Sequence, residues 1–378
     1  MTLCNTKDFA WRGKMGRRLA AAAAALALIL ALPVAGGFCA GLPADAWREF
    51  PPRQAHVRHA GFSWPVFAGL AVLIAAGVAP VVRRVAGAAT ATVGGRVRRL
   101  PFWGWCALVW TLAAWAAAWT RWPALARVQH HTYVLLWAGY IVVVQSLAWR
   151  RGGACLLTRH PAAFAALALV SAAFWWGFEF LNRGVQNWFY VGVEAFTPAA
   201  YAWLATLSFT TVLPAVVGTH DWLATYPRLT AGLEEWVRIR CRRPRQAGLA
   251  FAAAGAAGLF LLPVWPNALF PLLWLAPLAL LGGLLAAAGE PTIFDDLGRG
   301  DWRTLVRLSL AALICGFFWE MWNAYSLAHW TYAVPYVGRF HLFEMPVLGY
   351  AGYLPFGWEC AAVAMLSGLW HPPDREGA

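Results

Sequence analysis

The chain has 378 residues, of which 61% are hydrophobic and only 12% are charged. An average soluble domain carries about 25% charged residues, so too few polar side chains are present to cover a water-exposed globule, and a soluble protein is excluded. The net charge of +13 does not indicate nucleic-acid binding, because the basic residues lie in short loops between apolar segments.

The first apolar run follows a basic start and covers residues 19–40. Its length favours a retained membrane span, and the small residues at 35–37 leave a cleaved signal peptide as the alternative. Nine further apolar segments follow, each near the length that crosses a bilayer. They are residues 62–82, 101–120, 132–148, 161–181, 197–219, 247–263, 268–288, 304–322 and 345–369. The pattern predicts an all-α fold, a polytopic helical membrane bundle with about ten transmembrane helices.

The basic residues predict the orientation of these helices. With the N-terminus inside, the cytoplasmic segments hold 23 of the 30 Lys and Arg residues, and the opposite segments hold 7. Positive residues accumulate on the cytoplasmic side of membrane proteins. We therefore expect a multi-pass protein of the cell inner membrane with both termini in the cytoplasm.

Two segments of the sequence match after a fixed shift. FWWGFEFLN aligns with CGFFWEMWN, which places Glu179 141 residues before Glu320 and Asn182 the same distance before Asn323. Further matching pairs surround these segments. They are Trp188 and Tyr190 with Trp330 and Tyr332, Leu213-Pro214 with Leu354-Pro355, and Leu135-Leu136-Trp137 with Leu272-Leu273-Trp274. The shifts of 137 to 142 residues predict an internal duplication.

The duplication predicts three parts of the chain. An N-terminal two-span unit covers residues 1–100, and two four-span repeats cover 101–220 and 247–370. Each repeat begins and ends on the cytoplasmic side, so the repeats are parallel and related by a pseudo-twofold along the membrane normal.

Ionisable residues inside a membrane are costly and therefore mark candidate functional sites. Glu179 and Asn182 share one helical face because they lie three residues apart, and so do Glu320 and Asn323. Across a pseudo-twofold the two Glu–Asn pairs would face a central cavity, with the glutamates as general acid or base and the asparagines as substrate ligands. The alternative is that both pairs bond to neighbouring helices and only hold the bundle together.

The remaining candidates lie near the same predicted membrane face. Glu344 is a third candidate acid or base, and His341 a candidate substrate ligand, in the loop after the ninth span. The substrate-binding candidates also include the Trp-x-Tyr pairs, as a rim that stacks on a lipid or an isoprenoid. They are Trp188, Tyr190, Trp330 and Tyr332. The alternative for these aromatic residues is an ordinary interfacial belt.

Glu359 differs from these acids because it lies mid-span and has no counterpart, since the matching position is Gly218. The nearby Pro355 predicts a broken helix, which membranes tolerate only where it is buried in protein or lines a cavity. Glu359 is thus a candidate proton or ion site of a transporter. A buried carboxyl bonded to a tyrosine or a freed carbonyl is the structural alternative.

Other chemistry finds no support in the sequence. The seven scattered cysteines form neither a disulfide framework nor a zinc motif. No metal site, cofactor or nucleotide-binding loop is predicted. The expected partners are the lipid bilayer and a lipid or small-molecule substrate, with no nucleic acid, and the sequence leaves the oligomeric state open.

The segment Phe343-Glu344-Met345-Pro346 resembles the acid-and-proline motifs of membrane-embedded carotenoid cyclases, over these four residues alone. Three functions therefore remain at this stage. The first is an intramembrane enzyme that acts on a lipid or isoprenoid at the outer leaflet. The second is a secondary transporter or channel that uses Glu359, and the third is a non-catalytic membrane scaffold. The acids favour the enzyme, because most of them lie toward one face.

Overall fold

The computed structural model describes residues 6–52, 56–88 and 97–373, with side chains from residue 16 onward. Within these ranges the fold consists of helices with a few short strands. The helices are α1 Thr6–Cys39, α2 Asp45–Arg48, α3 Trp64–Ala86, α4 Phe102–Trp119, α5 Ala126–Gln129, α6 Thr132–Gly152, α7 Leu156–Arg159, α8 Pro161–Val185, α9 Pro198–Phe209, α10 Val212–Ala224, α11 Pro244–Leu261, α12 Pro266–Leu269, α13 Leu272–Ala288, α14 Arg303–Ala324 and α15 Tyr353–Leu366. The strands are β1 Trp188–Val191, β2 His329–Tyr332, β3 His341–Leu342 and β4 Met345–Pro346. The chain ends that we expect in the cytoplasm, residues 1–5 and 374–378, lie outside the described residues.

Local sequence signals begin and end these helices. Proline occupies the first position of α8, α9 and α11, where its missing N–H would have no helical partner in any case. At the other end, α6 and α13 each stop at a glycine in the left-handed conformation, Gly153 with φ 82° and Gly289 with φ 74°. These glycines close the helices that carry the matching Leu-Leu-Trp segments.

The described part of the chain has an all-α, multi-pass membrane-like architecture. Seven of its helical segments are long and apolar enough to cross a membrane. They are Gly16–Cys39, Trp64–Ala86, Phe102–Trp119, Thr132–Gly152, Pro161–Val185, Pro198–Ala224 and Arg303–Ala324. The other three predicted spans form α11, α13 and α15, which have 18, 17 and 14 residues. The count of about ten therefore stays a prediction.

The predicted broken helix at Pro355 has a counterpart in the first half of the bundle. Residues Val347–Gly352 form a 3-10 helix that leads directly into α15, and Pro355 is the third residue of α15. Likewise α9 stops at Phe209, and Pro214 is the third residue of α10. Both prolines lie in a first helical turn, where no intrahelical hydrogen bond is lost. Each proline thus follows an interruption instead of kinking a continuous helix.

Small residues allow the helices of the second half to approach closely. A Cβ added at Gly248 of α11 would lie 2.7 Å from the Gly283 backbone oxygen of α13, and one at Gly255 would lie 2.6 Å from the Leu280 nitrogen. Such contacts drive helix association in lipid, where apolar side chains gain nothing from leaving the bilayer. The helix α3 is the opposite case, because none of its residues is buried.

Residues 56–59, between α2 and α3, lie against β1 and the ends of α8 and α12. The His56 ring meets the Phe189 ring edge-on, with centroids 5.2 Å apart. The His59 Nδ1 atom lies 2.9 Å from the Asn267 Oδ1 atom, and its Nε2 atom lies 3.2 Å from the Gln186 backbone oxygen. This segment therefore connects the end of α8 to α12.

Candidate functional site

The two asparagines of the duplicated motif each bond through both amide atoms to the backbone around the following tryptophan. Asn182 donates from Nδ2 to the Trp188 backbone oxygen over 2.8 Å, and its Oδ1 accepts from the Asn187 backbone nitrogen at 2.8 Å. Asn323 donates from Nδ2 to the Trp330 oxygen over 2.7 Å, and its Oδ1 accepts from the Trp330 nitrogen at 2.8 Å. Both side chains are fully buried. Each thus ties a strand to the end of its preceding helix.

The Glu179 carboxylate accepts three hydrogen bonds on one oxygen. Trp175 and Trp188 each donate from Nε1 to Oε1 over 3.1 Å, and the Tyr190 hydroxyl donates over 2.7 Å. Trp175 belongs to α8 itself, one turn before Glu179, whereas the other two donors come from β1. The second oxygen, Oε2, is buried without a partner among the described residues.

The Glu320 carboxylate is held mainly by tyrosine hydroxyls. Tyr332 of β2 and Tyr353 of α15 both donate to Oε1 over 2.7 Å. The Trp330 indole donates over 2.8 Å to the Tyr332 hydroxyl, which in turn donates to the carboxylate. As at Glu179, the Oε2 atom of Glu320 is buried without a partner among the described residues.

The strands that carry these donors pair with each other. Trp188 lies opposite Tyr332 and Tyr190 lies opposite Trp330 in an antiparallel ladder. Positions 188 and 190 match 330 and 332 under the shift of 142, so each residue pairs with the counterpart of the other. Such reciprocal pairing is the pattern of a twofold-related contact. The ladder therefore brings the two Trp-x-Tyr pairs into one structure.

A cavity of about 380 Å³ lies beside this ladder. Its wall includes the hydroxyl and indole donors of both glutamates together with further aromatic rings. The aromatic wall residues are Tyr133, Trp175, Trp188, Tyr190, Phe196, Tyr201, Phe209, Phe270, Trp274, Trp319, Trp330, Tyr332, Tyr353 and Phe356. Glu179 and Glu320 are buried directly behind their donors and do not line the cavity. Both glutamates thus reach one chamber through tyrosine hydroxyls.

Two of these tyrosines keep their protons at neutral pH. Burial raises the pKa of Tyr190 and the pKa of Tyr332 well above the ordinary phenol value, and the adjacent glutamate raises each further. A neutral hydroxyl in this position donates to the carboxylate and can itself accept a hydrogen bond. The chamber wall is therefore polar and uncharged at these two hydroxyls.

Several predicted site residues lie away from the chamber. His341 is exposed in β3, and Glu344 is half-buried in the turn that follows it. Glu359 is buried in α15, its Oε2 atom has no partner among the described residues, and it does not line the chamber. Asn182 and Asn323 are engaged with backbone groups and do not line it either.

Sequence reasoning missed Tyr353, Trp175 and Asn187. Tyr353 matches Val212, and Trp175 matches Gly316, so neither donor belongs to the part of the motif that repeats. Asn187 directly precedes the first Trp-x-Tyr pair. The corresponding residue in the second half is His329, so Asn187 is not part of the repeated pattern. The shared feature that could have pointed to these residues is proximity to the duplicated motif.

Among the described residues, no group of three His, Cys, Asp or Glu side chains could hold a metal ion. The fold and the chamber define a helical, multi-pass membrane-like architecture with an aromatic cavity. Compared with known protein families, curated proteins and solved structures, the chain matches none.

Proposed function

We propose that the protein is an intramembrane enzyme that acts on a lipid or an isoprenoid in the aromatic chamber. The observation that carries this proposal is the pairing of each buried glutamate with tyrosine hydroxyls on the chamber wall. Rings of this kind bind apolar chains and stabilise positive charge that develops next to their faces. Glutamate and tyrosine side chains are ordinary participants in general acid–base catalysis.

In this proposal Tyr332 and Tyr353 touch the substrate, and Glu320 exchanges protons with their hydroxyls. When a tyrosine oxygen takes a proton from the substrate, the tyrosine's own proton passes to the Glu320 carboxylate 2.7 Å behind it. Glu179 and Tyr190 form the equivalent pair on the other side of the ladder. We assign Asn182 and Asn323 to holding the strands, since their amides are already engaged with backbone groups.

The proposal includes two parallel four-helix repeats, residues 101–220 and 247–370, after the two-span unit 1–100. Its support is the matching set of hydrogen bonds around the two Glu-x-x-Asn motifs and the reciprocal pairing of β1 with β2. The distribution of Lys and Arg supports cytoplasmic termini in a cell inner membrane, which would put the chamber toward the outer leaflet.

The transporter alternative has one observation in its favour, the buried and unpartnered Glu359 carboxyl. A proton or ion site needs a polar route, however, and Glu359 lines neither the chamber nor the small cavity of about 10 Å³ that contacts the other end of α15. Enzyme chemistry in the chamber is therefore the better-supported proposal.

The test is the substitution Glu320→Gln, with Glu194→Gln as its matched control at an exposed glutamate near the same strands. Glutamine still accepts the tyrosine hydrogen bonds but cannot take up a proton. We expect the membrane lipid product to fall by about 100-fold or more, the typical size of a lost general base. Lipid extracts of cells that express each variant are compared by mass spectrometry.

Glu194→Gln should leave the lipid profile as in the wild type. If Glu320→Gln leaves the lipids unchanged while solute uptake is lost, the enzyme proposal is wrong and the transporter is correct. If the lipids of cells with and without the wild-type protein do not differ, the enzyme proposal is also wrong.

A further inference from the structure

Two polar residues stand at matching places on the chamber wall and serve neither glutamate. Asn187 directly precedes Trp188, and His329 directly precedes Trp330. In the ladder, Asn187 lies next to Ala333 at one end, and His329 lies opposite Val191 at the other. The two residues are roughly 13 Å apart along the strands at 3.3 Å per residue.

Asn187 is the more unusual of the two. Its side chain is only 5% exposed, and its Oδ1 atom has no hydrogen-bond partner among the described residues. A buried carboxamide without a partner costs about 1–3 kcal/mol. Its backbone nitrogen and oxygen are both occupied, by Asn182 and Ala333. The carboxamide is therefore held in place at the chamber wall with its Oδ1 atom unpaired.

His329 has less free capacity. Its Nδ1 atom lies 3.3 Å from the Leu327 backbone oxygen, which can only accept, so in the neutral ring Nδ1 carries the proton. The half-buried ring then presents Nε2 as an acceptor. Of the two polar positions, Asn187 is thus the buried one that a ligand must satisfy.

The charge of the wall restricts the ligand further. None of the described residues that line the chamber is Lys, Arg, Asp or Glu. A phosphate or diphosphate group taken into this chamber would lose its water without gaining a Lys or Arg partner, which is unfavourable. An uncharged ligand has no such penalty.

We propose that the chamber binds an uncharged lipid alcohol, whose hydroxyl group bonds to the Asn187 carboxamide and whose apolar chain lies on the aromatic wall. A hydroxyl group both donates and accepts, so it satisfies the amide whichever way the amide is turned. The inference rests on the proposed lipid site and deepens it by naming the substrate class. The carboxamide is the determinant that separates an alcohol from the corresponding hydrocarbon.

The test measures equilibrium binding of tritiated geranylgeraniol to the full chain in detergent micelles. Competitors are unlabelled geranylgeraniol, the same C20 chain as a hydrocarbon without its hydroxyl, and geranylgeranyl diphosphate. We expect the alcohol to compete at least about 10-fold better than the hydrocarbon, since a site built for a hydroxyl group rejects an analogue that lacks it. The diphosphate should compete more weakly than the alcohol.

Asn187→Leu should reduce the preference for the alcohol to about 2-fold or less while hydrocarbon competition is retained. Asn187→Ala removes the amide without added bulk and should give the same result if the leucine variant does not fold. Asn267→Leu is the matched control, because that asparagine lies near the same strands but bonds to His59 and does not line the chamber.

Tighter binding of the diphosphate, or an alcohol preference unchanged in both Asn187 variants, would overturn the inference. Neither result touches the enzyme proposal, which is decided by the lipid profile of Glu320→Gln. Conversely, an unchanged lipid profile with the expected competition order leaves a lipid-alcohol binding protein and rejects the enzyme.

Discussion

The two halves of the molecule each place a buried carboxylate behind the chamber wall but hold it differently. On one side, Trp175 of α8 reaches Glu179 from one turn away on the same helix. On the other side, the position that matches Trp175 is Gly316, and Tyr353 of α15 fills the space instead. The position that matches Tyr353 is Val212. A large donor and a small residue have thus changed places between neighbouring helices.

This exchange changes the chemistry and preserves the packing. Glu179 is held by two indoles and one hydroxyl, whereas Glu320 is held by two hydroxyls. An indole N–H only donates and does not give up its proton, whereas a tyrosine hydroxyl can both donate and accept. The Glu320 side is therefore the better candidate for proton transfer, and the Glu179 side resembles a fixed brace.

Glu359 also differs between the two halves. Its matching residue is Gly218 of α10, where an added Cβ would lie 2.8 Å from the Gln145 Nε2 atom. Gln145 of α6 in turn matches Gly282 of α13 under the shift of 137. At Gly282 the nearest atom to an added Cβ is the Phe294 Cε2 atom, 3.7 Å away, and Glu359 is not within 4 Å.

The largest effect should come from the feature that the halves share. Asn182→Leu and Asn323→Leu each leave two strand backbone groups without partners, and we expect each to reduce the free energy of unfolding by about 2–3 kcal/mol. Thermal unfolding in detergent micelles measures the loss. Asn267→Leu, which removes the partner of His59, should cost clearly less. Unequal losses at Asn182 and Asn323 would break the equivalence of the two halves.

The next largest effect tests whether Gly316 leaves room for Tyr353. A Cβ at Gly316 would overlap the Tyr353 ring, so Gly316→Ala should reduce the free energy of unfolding by about 1–3 kcal/mol. Gly177→Ala is the control, because that helical glycine has no other atom within 4 Å of an added Cβ. It should be neutral or slightly stabilising. The same unfolding measurement compares the two alanine variants.

A double variant that places the first-half residues, Trp and Val, at positions 316 and 353 is a stricter test. Tyr353→Val combined with Gly316→Trp should be more stable than Gly316→Trp alone, because the valine removes the ring that the new indole meets. If the double variant is no more stable than the single one, the two positions do not share one space and the exchange is refuted.

The smallest effect distinguishes the two hydroxyls at Glu320. Tyr332→Phe removes a donor to Glu320 and also leaves the Trp330 indole unpaired, whereas Tyr353→Phe removes a donor only. We expect losses of about 2 and about 1 kcal/mol respectively. Tyr190→Phe should cost less than either, since Glu179 keeps two indole donors. A larger loss of unfolding free energy for Tyr190→Phe than for Tyr332→Phe would contradict the difference between the halves.

The sequence by itself determined the all-α, membrane-like class of the fold and the residues of the duplicated motif. Composition and the length of apolar segments decide the first, because lipid admits only chains with satisfied backbone groups. Spacing decides the second, because Glu179 and Asn182 share a helical face wherever that helix lies. The placement of Trp-x-Tyr after each motif likewise pointed to the chamber.

Only the tertiary structure decided what these residues contact. Asn182 and Asn323 bond to strand backbone, Glu179 and Glu320 lie behind their aromatic donors, and the two strands pair with each other. Tyr353 reaches Glu320 from 33 residues away. The Oδ1 atom of Asn187 is left without a partner at the wall. Spacing along one helix determines a shared face, but contacts between helices depend on which small residue leaves room for which large one. Gly316 leaves that room for Tyr353.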